Sequence, residues 1–168
     1  MSIRHFARAA LLFAAAVLFA PAAHAAEKAT ADTYSSHAAF GPRIGISSSP
    51  DQLVVGGQLV FPDFAPQLSA VPSVELGFLD NETTVAINGD LIYHFVVRSS
   101  TWKPYAGAGA ALEVSQPENG DSSTDAGMNL IVGADVPTRT GNRFFGEFRI
   151  GVGDISSLKI MVGWNFPM

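Results

Sequence analysis

The stretch Val85-Ala86-Ile87-Asn88-Gly89-Asp90-Leu91-Ile92-Tyr93-His94-Phe95-Val96-Val97-Arg98 sorts its side chains by parity. Neighbouring strand residues point to opposite faces. Val85, Ile87, Leu91, Tyr93, Phe95 and Val97 therefore share one face, and Asn88, Asp90, His94 and Arg98 share the other. One face is apolar and the other is polar and ionic. The run exceeds the usual strand of about five or six residues and is long enough to cross a bilayer on a tilt, which takes roughly 9 to 11. It predicts an all-β chain with a strand that spans a membrane.

Working outward, the same alternation places strands at Phe40–Ser47, Gln52–Phe61, Leu68–Leu79, Thr83–Arg98, Trp102–Ser115, Thr124–Val136, Arg143–Gly153 and Ser156–Phe166. Turn residues separate them, as in Ser48-Ser49-Pro50-Asp51, Asp80-Asn81-Glu82 and Pro137-Thr138-Arg139-Thr140-Gly141-Asn142. Short links favour an antiparallel meander, because parallel neighbours need crossovers of about a dozen residues or more. The prediction is an eight-stranded up-and-down barrel. Leu68, Ala70, Val74, Leu76 and Phe78 oppose Ser69, Ser73 and Glu75, and Leu158, Ile160, Val162, Trp164 and Phe166 oppose Lys159 and Asn165. Val71, Ile92, Ile131 and Phe145 break the rule, and the first strand, with Arg43 opposite Pro42, Ile44 and Ile46, shows it most weakly.

Parity alone leaves two arrangements open. A transmembrane barrel puts its apolar face on lipid and its polar face in the lumen; a soluble barrel reverses them. Glu75, Asp90, Glu113, Asp135 and Glu147 share the polar parity with Arg98, Lys103, Arg143, Arg149 and Lys159, a near-balanced set able to pair in a confined interior. His94 belongs to the same face. Buried charges need partners, since an unpaired one costs several kcal/mol. Aromatic residues lie toward strand ends on the apolar face, where girdles meet headgroups. Glycines on the polar parity leave room for large neighbours in a narrow barrel. These features favour the transmembrane arrangement.

The remaining sequence bounds the function. The chain has 168 residues, 15% of them charged and 48% hydrophobic, and no cysteine. That length fits one domain, and the lack of cysteine excludes disulfides and thiolate metal sites. A net charge of -5 opposes nucleic-acid binding, which needs a basic surface to neutralise phosphates. Arg4, His5 and Arg8, the apolar run Ala9–Ala20 and the Ala23-His24-Ala25 site read as a secretory signal over residues 1–25. Residues 26–39 read as a flexible leader, and 40–168 as the barrel domain. No apolar run after the signal has the length of a transmembrane helix, so entry into a membrane must be as a closed sheet.

The signal, the eight alternations, Lys103-Pro104-Tyr105-Ala106-Gly107-Ala108-Gly109-Ala110 and the closing Val162-Gly163-Trp164-Asn165-Phe166 resemble the small outer-membrane β-barrel proteins related to the OmpA transmembrane domain and OmpX. The resemblance covers roughly residues 40 to 166 and implies an outer-membrane barrel inserted by the assembly machinery, which reads a terminal aromatic in this family. Here Pro167 and Met168 follow the aromatic alternation.

Eight strands leave an interior just wide enough for side chains to fill, so a wide pore is not expected. Enzymatic and metal readings find little support. A lipid-A deacylase-type barrel would need a His and a Ser two residues apart on the lipid side, but His94 is followed by Val96 at that spacing and has inward parity. No metal-binding pattern is present, because Asp121 and Asp125 lack the closing Glu of a calcium loop, and no cofactor motif occurs. With both termini periplasmic, the connectors at 47–51, 80–82, 116–123 and 153–155 face outward from the cell and those at 62–67, 99–101 and 137–142 face the periplasm. The longest, with Pro117, Glu118, Asn119, Gly120 and Asp121, is then the candidate contact surface. The expected protein is a monomeric, non-enzymatic outer-membrane barrel of a Gram-negative envelope, with lipid as its partner. The alternatives are a soluble periplasmic barrel binding a small apolar ligand and, behind it, a lipid-A-modifying enzyme.

Overall fold

Each alternation becomes a strand: β1 Ala39–Ser48, β2 Gln52–Val60, β3 Leu68–Leu79, β4 Glu82–His94, β5 Lys103–Pro117, β6 Ser123–Pro137, β7 Arg143–Gly153 and β8 Leu158–Pro167. The structure is a computed structural model and describes residues 37–79, 82–97, 101–118 and 121–168. The signal segment, most of the leader, Arg98, Asn119 and Gly120 lie outside the described residues. Every strand pairs antiparallel with the next, and β1 closes on β8 with Ile44 opposite Val162 and Ile46 opposite Ile160. The result is a closed meander barrel, which leaves no unpaired sheet edge.

The central stretch ends earlier than its parity predicts. β4 stops at His94, not Arg98, because its neighbours run out: Tyr93 pairs with Leu68, the first residue of β3, and the His94 N–H donates to the Gln67 carbonyl. Phe95 still donates to the Pro104 carbonyl, but Val96 is exposed outside the strand. Conversely, β5 and β6 are longer than read, with Ser115 pairing Ser123, so their connection shrinks to 118–122.

These shifts change the two ends of the barrel. The terminal end, where the chain enters β1 and leaves β8, carries the connections 61–67, 95–102 and 138–142; the far end carries 49–51, 80–81, 118–122 and 154–157. The longest connection is 95–102, on the terminal end, and not the loop after Pro117 that the sequence suggested. Loop length therefore does not orient this barrel.

The two faces are resolved. Tyr93, Phe95, Ile160 and Val162 are 43%, 46%, 38% and 40% exposed, whereas Asp90 and Lys159 are 2% and 4% exposed. The apolar set points out of the barrel and the ionic set points in. This excludes the inverted faces on which the soluble alternative was built, with apolar side chains filling the centre. The aromatics gather at one end: Phe40, Phe61, Tyr93, Phe95, Trp102, Phe144, Trp164 and Phe166 flank the terminal end, with Phe144 and Trp164 edge to face at 5.1 Å. Phe78 is the outward aromatic near the far end. The residues that broke the parity rule line the lumen. Val71, Ile92 and Ile131 join Ala39, Val60 and Tyr105 in a buried apolar cluster in the terminal half.

Candidate functional site

The lumen takes its charge from inward positions of β1, β3, β4, β5, β6, β7 and β8. Arg43 of β1 lies at its hub. Its guanidinium pairs with Glu147, lies 3.4 Å from Glu75 and donates to the Gln58 side-chain carbonyl at 2.9 Å. Arg149 donates through Nε to Glu147 at 2.6 Å and through Nη2 to Asp90 at 2.7 Å. The Tyr105 hydroxyl donates to the second Glu147 oxygen at 2.9 Å. Lys159 bridges Glu75 at 3.1 Å and Glu113 at 2.7 Å. All these side chains are buried, so each charge is held by an opposite charge inside the barrel wall.

Neutral polar groups extend the network. Gln58 donates to Asn165 at 2.9 Å, and Asn129 donates to Asn88, which donates to Ser73. At the far end the β7–β8 connection folds inward: Ile155 and Ser156 are buried, and both the backbone N–H and the hydroxyl of Ser156 donate to Glu113 at 3.0 Å. A side chain at Gly127 would begin 2.8 Å from Ile155, so the glycine makes space for this cap. Gly133 does the same for Tyr105, whose ring carbon would lie 2.5 Å from an added Cβ.

Glu75, Asp90, Glu113, Glu147, Arg149 and Lys159 from the sequence-predicted polar set thus meet in one network. His94 and Asp135 form a second pair in the terminal half, with Nε2 and Oδ2 3.6 Å apart. Arg143 is half-buried and lines a cavity with them. Lys103 departs from the prediction. It is half-buried at the start of β5 and lies outside the ion pairs seen among the described residues, because its position is the strand's first and opens to the barrel rim. Arg43 and Gln58 were missed as members. Arg43 carried a signal, the lone cation among inward positions of β1, but the weak alternation around it concealed its role.

The network leaves little open volume. The cavity between His94, Asp135, Tyr105 and Glu147 has room for roughly one water molecule, far less than the several hundred Å³ of a small-molecule pocket. Among the described residues no group of metal-ligating side chains converges. In the candidate surface loop, Pro117 ends β5, and Glu118 and Asp121 are exposed.

The sequence matches no protein-family model. No curated protein matches it either. Solved structures do share the fold. The N-terminal β-barrel domain of Pseudomonas aeruginosa OprF superposes with a TM-score of 0.65 at 16% identity, covering 79% of this chain and 98% of that one. Neisserial surface protein A superposes with a TM-score of 0.56 at 15% identity, over 79% and 95% of the two chains. The de novo designed TMB2.3 reaches a TM-score of 0.50 at 14% identity, over 79% and 94%. The fold is the eight-stranded meander of small outer-membrane barrels.

Proposed function

We propose that this chain is an exported, monomeric outer-membrane β-barrel of a Gram-negative envelope, without enzymatic activity, whose role is structural or lies in surface contact. The observation that carries the reading is the placement of charge inside and large apolar side chains outside. Burying a large apolar side chain is worth roughly 1.5–3 kcal/mol, so an outward belt from Phe40 to Phe166 facing water would cost on the order of tens of kcal/mol. Hydrocarbon removes that cost. Soluble monomers rarely expose contiguous apolar surface of this extent.

Closure leaves no edge strand for a second copy to extend, which supports the monomer. The non-enzymatic reading is supported by His94, which points into the lumen beside Asp135 and not toward lipid. Export rests on the signal over residues 1–25, and insertion on the assembly machinery reading β8, where Trp164 and Phe166 face outward. The filled lumen supports a closed barrel over a diffusion pore.

Fractionation of cells expressing the full chain tests this. The protein should pellet with the outer membrane, and its band should migrate faster unheated than boiled. Recovery in osmotic-shock fluid, with one mobility, contradicts the proposal.

A further inference from the structure

Among the described residues two prolines lie well inside strands, Pro42 in β1 and Pro72 in β3, whereas Pro104, Pro117, Pro137 and Pro167 stand at or beside strand ends. A proline has no N–H to give to the ladder and is ordinarily confined to an edge strand, and a closed barrel has no edge. The Phe61 N–H donates to the Ala70 carbonyl at 2.9 Å. Hydrogen-bonded pairs recur at every second residue of an antiparallel ladder, so the next one sets Leu59 against Pro72, where the Leu59 carbonyl meets no N–H. On the other side of the β1–β2 hairpin the Met168 N–H donates to the Ala38 carbonyl at 2.8 Å, and the same count sets the Trp164 carbonyl against Pro42. The pairing breaks at both places. The β2–β3 register runs from Leu53 and Phe78 only as far as Gln58 and Ser73, and the β1–β8 register skips Gly41 and Pro42. The β3–β4, β4–β5 and β5–β6 registers run without a gap.

We propose that the terminal half of the β1–β2 hairpin, residues 39–42 and 57–60, is a panel of the barrel wall poised to swing away from β3 and β8 as a unit while the other strands stay paired. Its own two strands hold together, since β1 and β2 pair without a gap from Ala39 and Val60 to Ser47 and Gln52. The lumen behind the panel is the apolar part of the interior. Val60 and Val71 flank the broken β2–β3 seam, and Ala39, Ile92, Tyr105 and Ile131 cluster with them. Opening there sets apolar side chains against hydrocarbon, whereas a gap beside Glu75, Arg149 or Lys159 would bring ionic groups to lipid, which is costly. A latch crosses β1 on the lumen side. Gln58 of β2 donates to Asn165 of β8 at 2.9 Å, and the bond passes Gly41, where an added Cβ would run into the Asn165 side-chain oxygen. Swung open, the panel joins the small cavity lined by Gln58, Val60, Val71 and Asn165 to the bilayer through the wall, without use of either barrel end. A purely structural barrel has no need of such a motion.

Amide hydrogen exchange of the full chain, refolded into phosphatidylcholine vesicles and read by mass spectrometry of its peptides, tests the panel. Residues 39–42 and 57–60 should exchange several-fold faster than 105–108 and 131–134, which lie toward the same end of the barrel between unbroken seams. Pro72→Val returns an N–H opposite the Leu59 carbonyl and should slow exchange in the panel roughly fivefold, the scale of one hydrogen bond. Pro42→Val should do the same from the β8 side. Asn165→Ala cuts the latch and should speed panel exchange by a similar factor, with β4–β6 unchanged in every variant. The pair Val60→Cys, Val71→Cys places two thiols across the broken seam. Its disulfide should slow the panel, and reduction should reverse the slowing in the same protein. Panel exchange as slow as that of 105–108 and 131–134 would overturn the proposal. So would fast exchange confined to β1, which is fraying of the chain terminus, or panel exchange that neither proline replacement nor the disulfide slows.

Discussion

Arg149 shows how the charges hold the interior together. It is among the largest fully buried side chains, and it faces Glu147 on its own strand and Asp90 across the barrel. Removing one partner of a buried ion pair costs roughly 3–5 kcal/mol, because the other charge is left without compensation. Arg149→Met should therefore lower the unfolding free energy in lipid vesicles by about 3 kcal/mol or more, measured by urea titration. A loss under about 1 kcal/mol, the scale of an exposed pair, would mean that the network bears no load. Gly133→Ala tests packing at the same scale. Its added methyl would overlap the Tyr105 ring, displacing the hydroxyl from Glu147, and overpacking of this kind costs roughly 1–3 kcal/mol. Tyr105→Phe should lose only the hydrogen bond, about 1.5 to 3 kcal/mol for a charged acceptor, and combined with Gly133→Ala should relieve part of the overlap, because the hydroxyl oxygen would lie 2.6 Å from the added Cβ. The inward direction of Glu75, Asp90, Glu147 and Arg149 was readable from parity. Which carboxylate each cation meets was not, because partners such as Arg43 and Glu147 lie far apart in sequence and are joined only by the β1–β8 closure.

At the scale of the element, strand existence followed from alternation, and strand ends followed from neighbours. Leu68–Leu79 and Arg143–Gly153 are bounded by Pro, Gly and Asn turns and were readable in full. β4 was overread past His94 because Phe95 and Val97 continue its alternation, although β3 offers no residue to pair with them. The β7–β8 connection was also illegible. Nothing in Asp154-Ile155-Ser156-Ser157 announces that Ile155 and Ser156 turn inward, since the signal for it is the space above Gly127 and Gly151. Ser156→Ala removes one of two hydrogen bonds to Glu113 and should cost about 1.5 kcal/mol or more, read in the same urea titration. Ser156→Pro removes the N–H donor too and should cost more. Equal stability of Ser156→Ala and the unaltered chain would show that the cap is incidental.

At the scale of the whole molecule, the sequence alone left the faces of the barrel open, because period-two alternation looks the same whichever side meets solvent. The coordinates decide it through the burial of Asp90, Glu147 and Arg149 against the exposure of Ile87, Leu91 and Tyr93. The central claim is that this exposed face meets hydrocarbon, and the lack of native cysteine allows a direct test. Single cysteines placed in turn along β4 from Thr84 to His94 carry a nitroxide, and collision with oxygen and with a polar nickel complex is measured in phospholipid vesicles. The account predicts oxygen accessibility with a period of two, high at Ile87, Leu91 and Tyr93, low at Ala86, Asn88 and Asp90, with the nickel complex excluded at the high positions. High nickel accessibility at Ile87, Leu91 and Tyr93 would place that face in water and contradict the account.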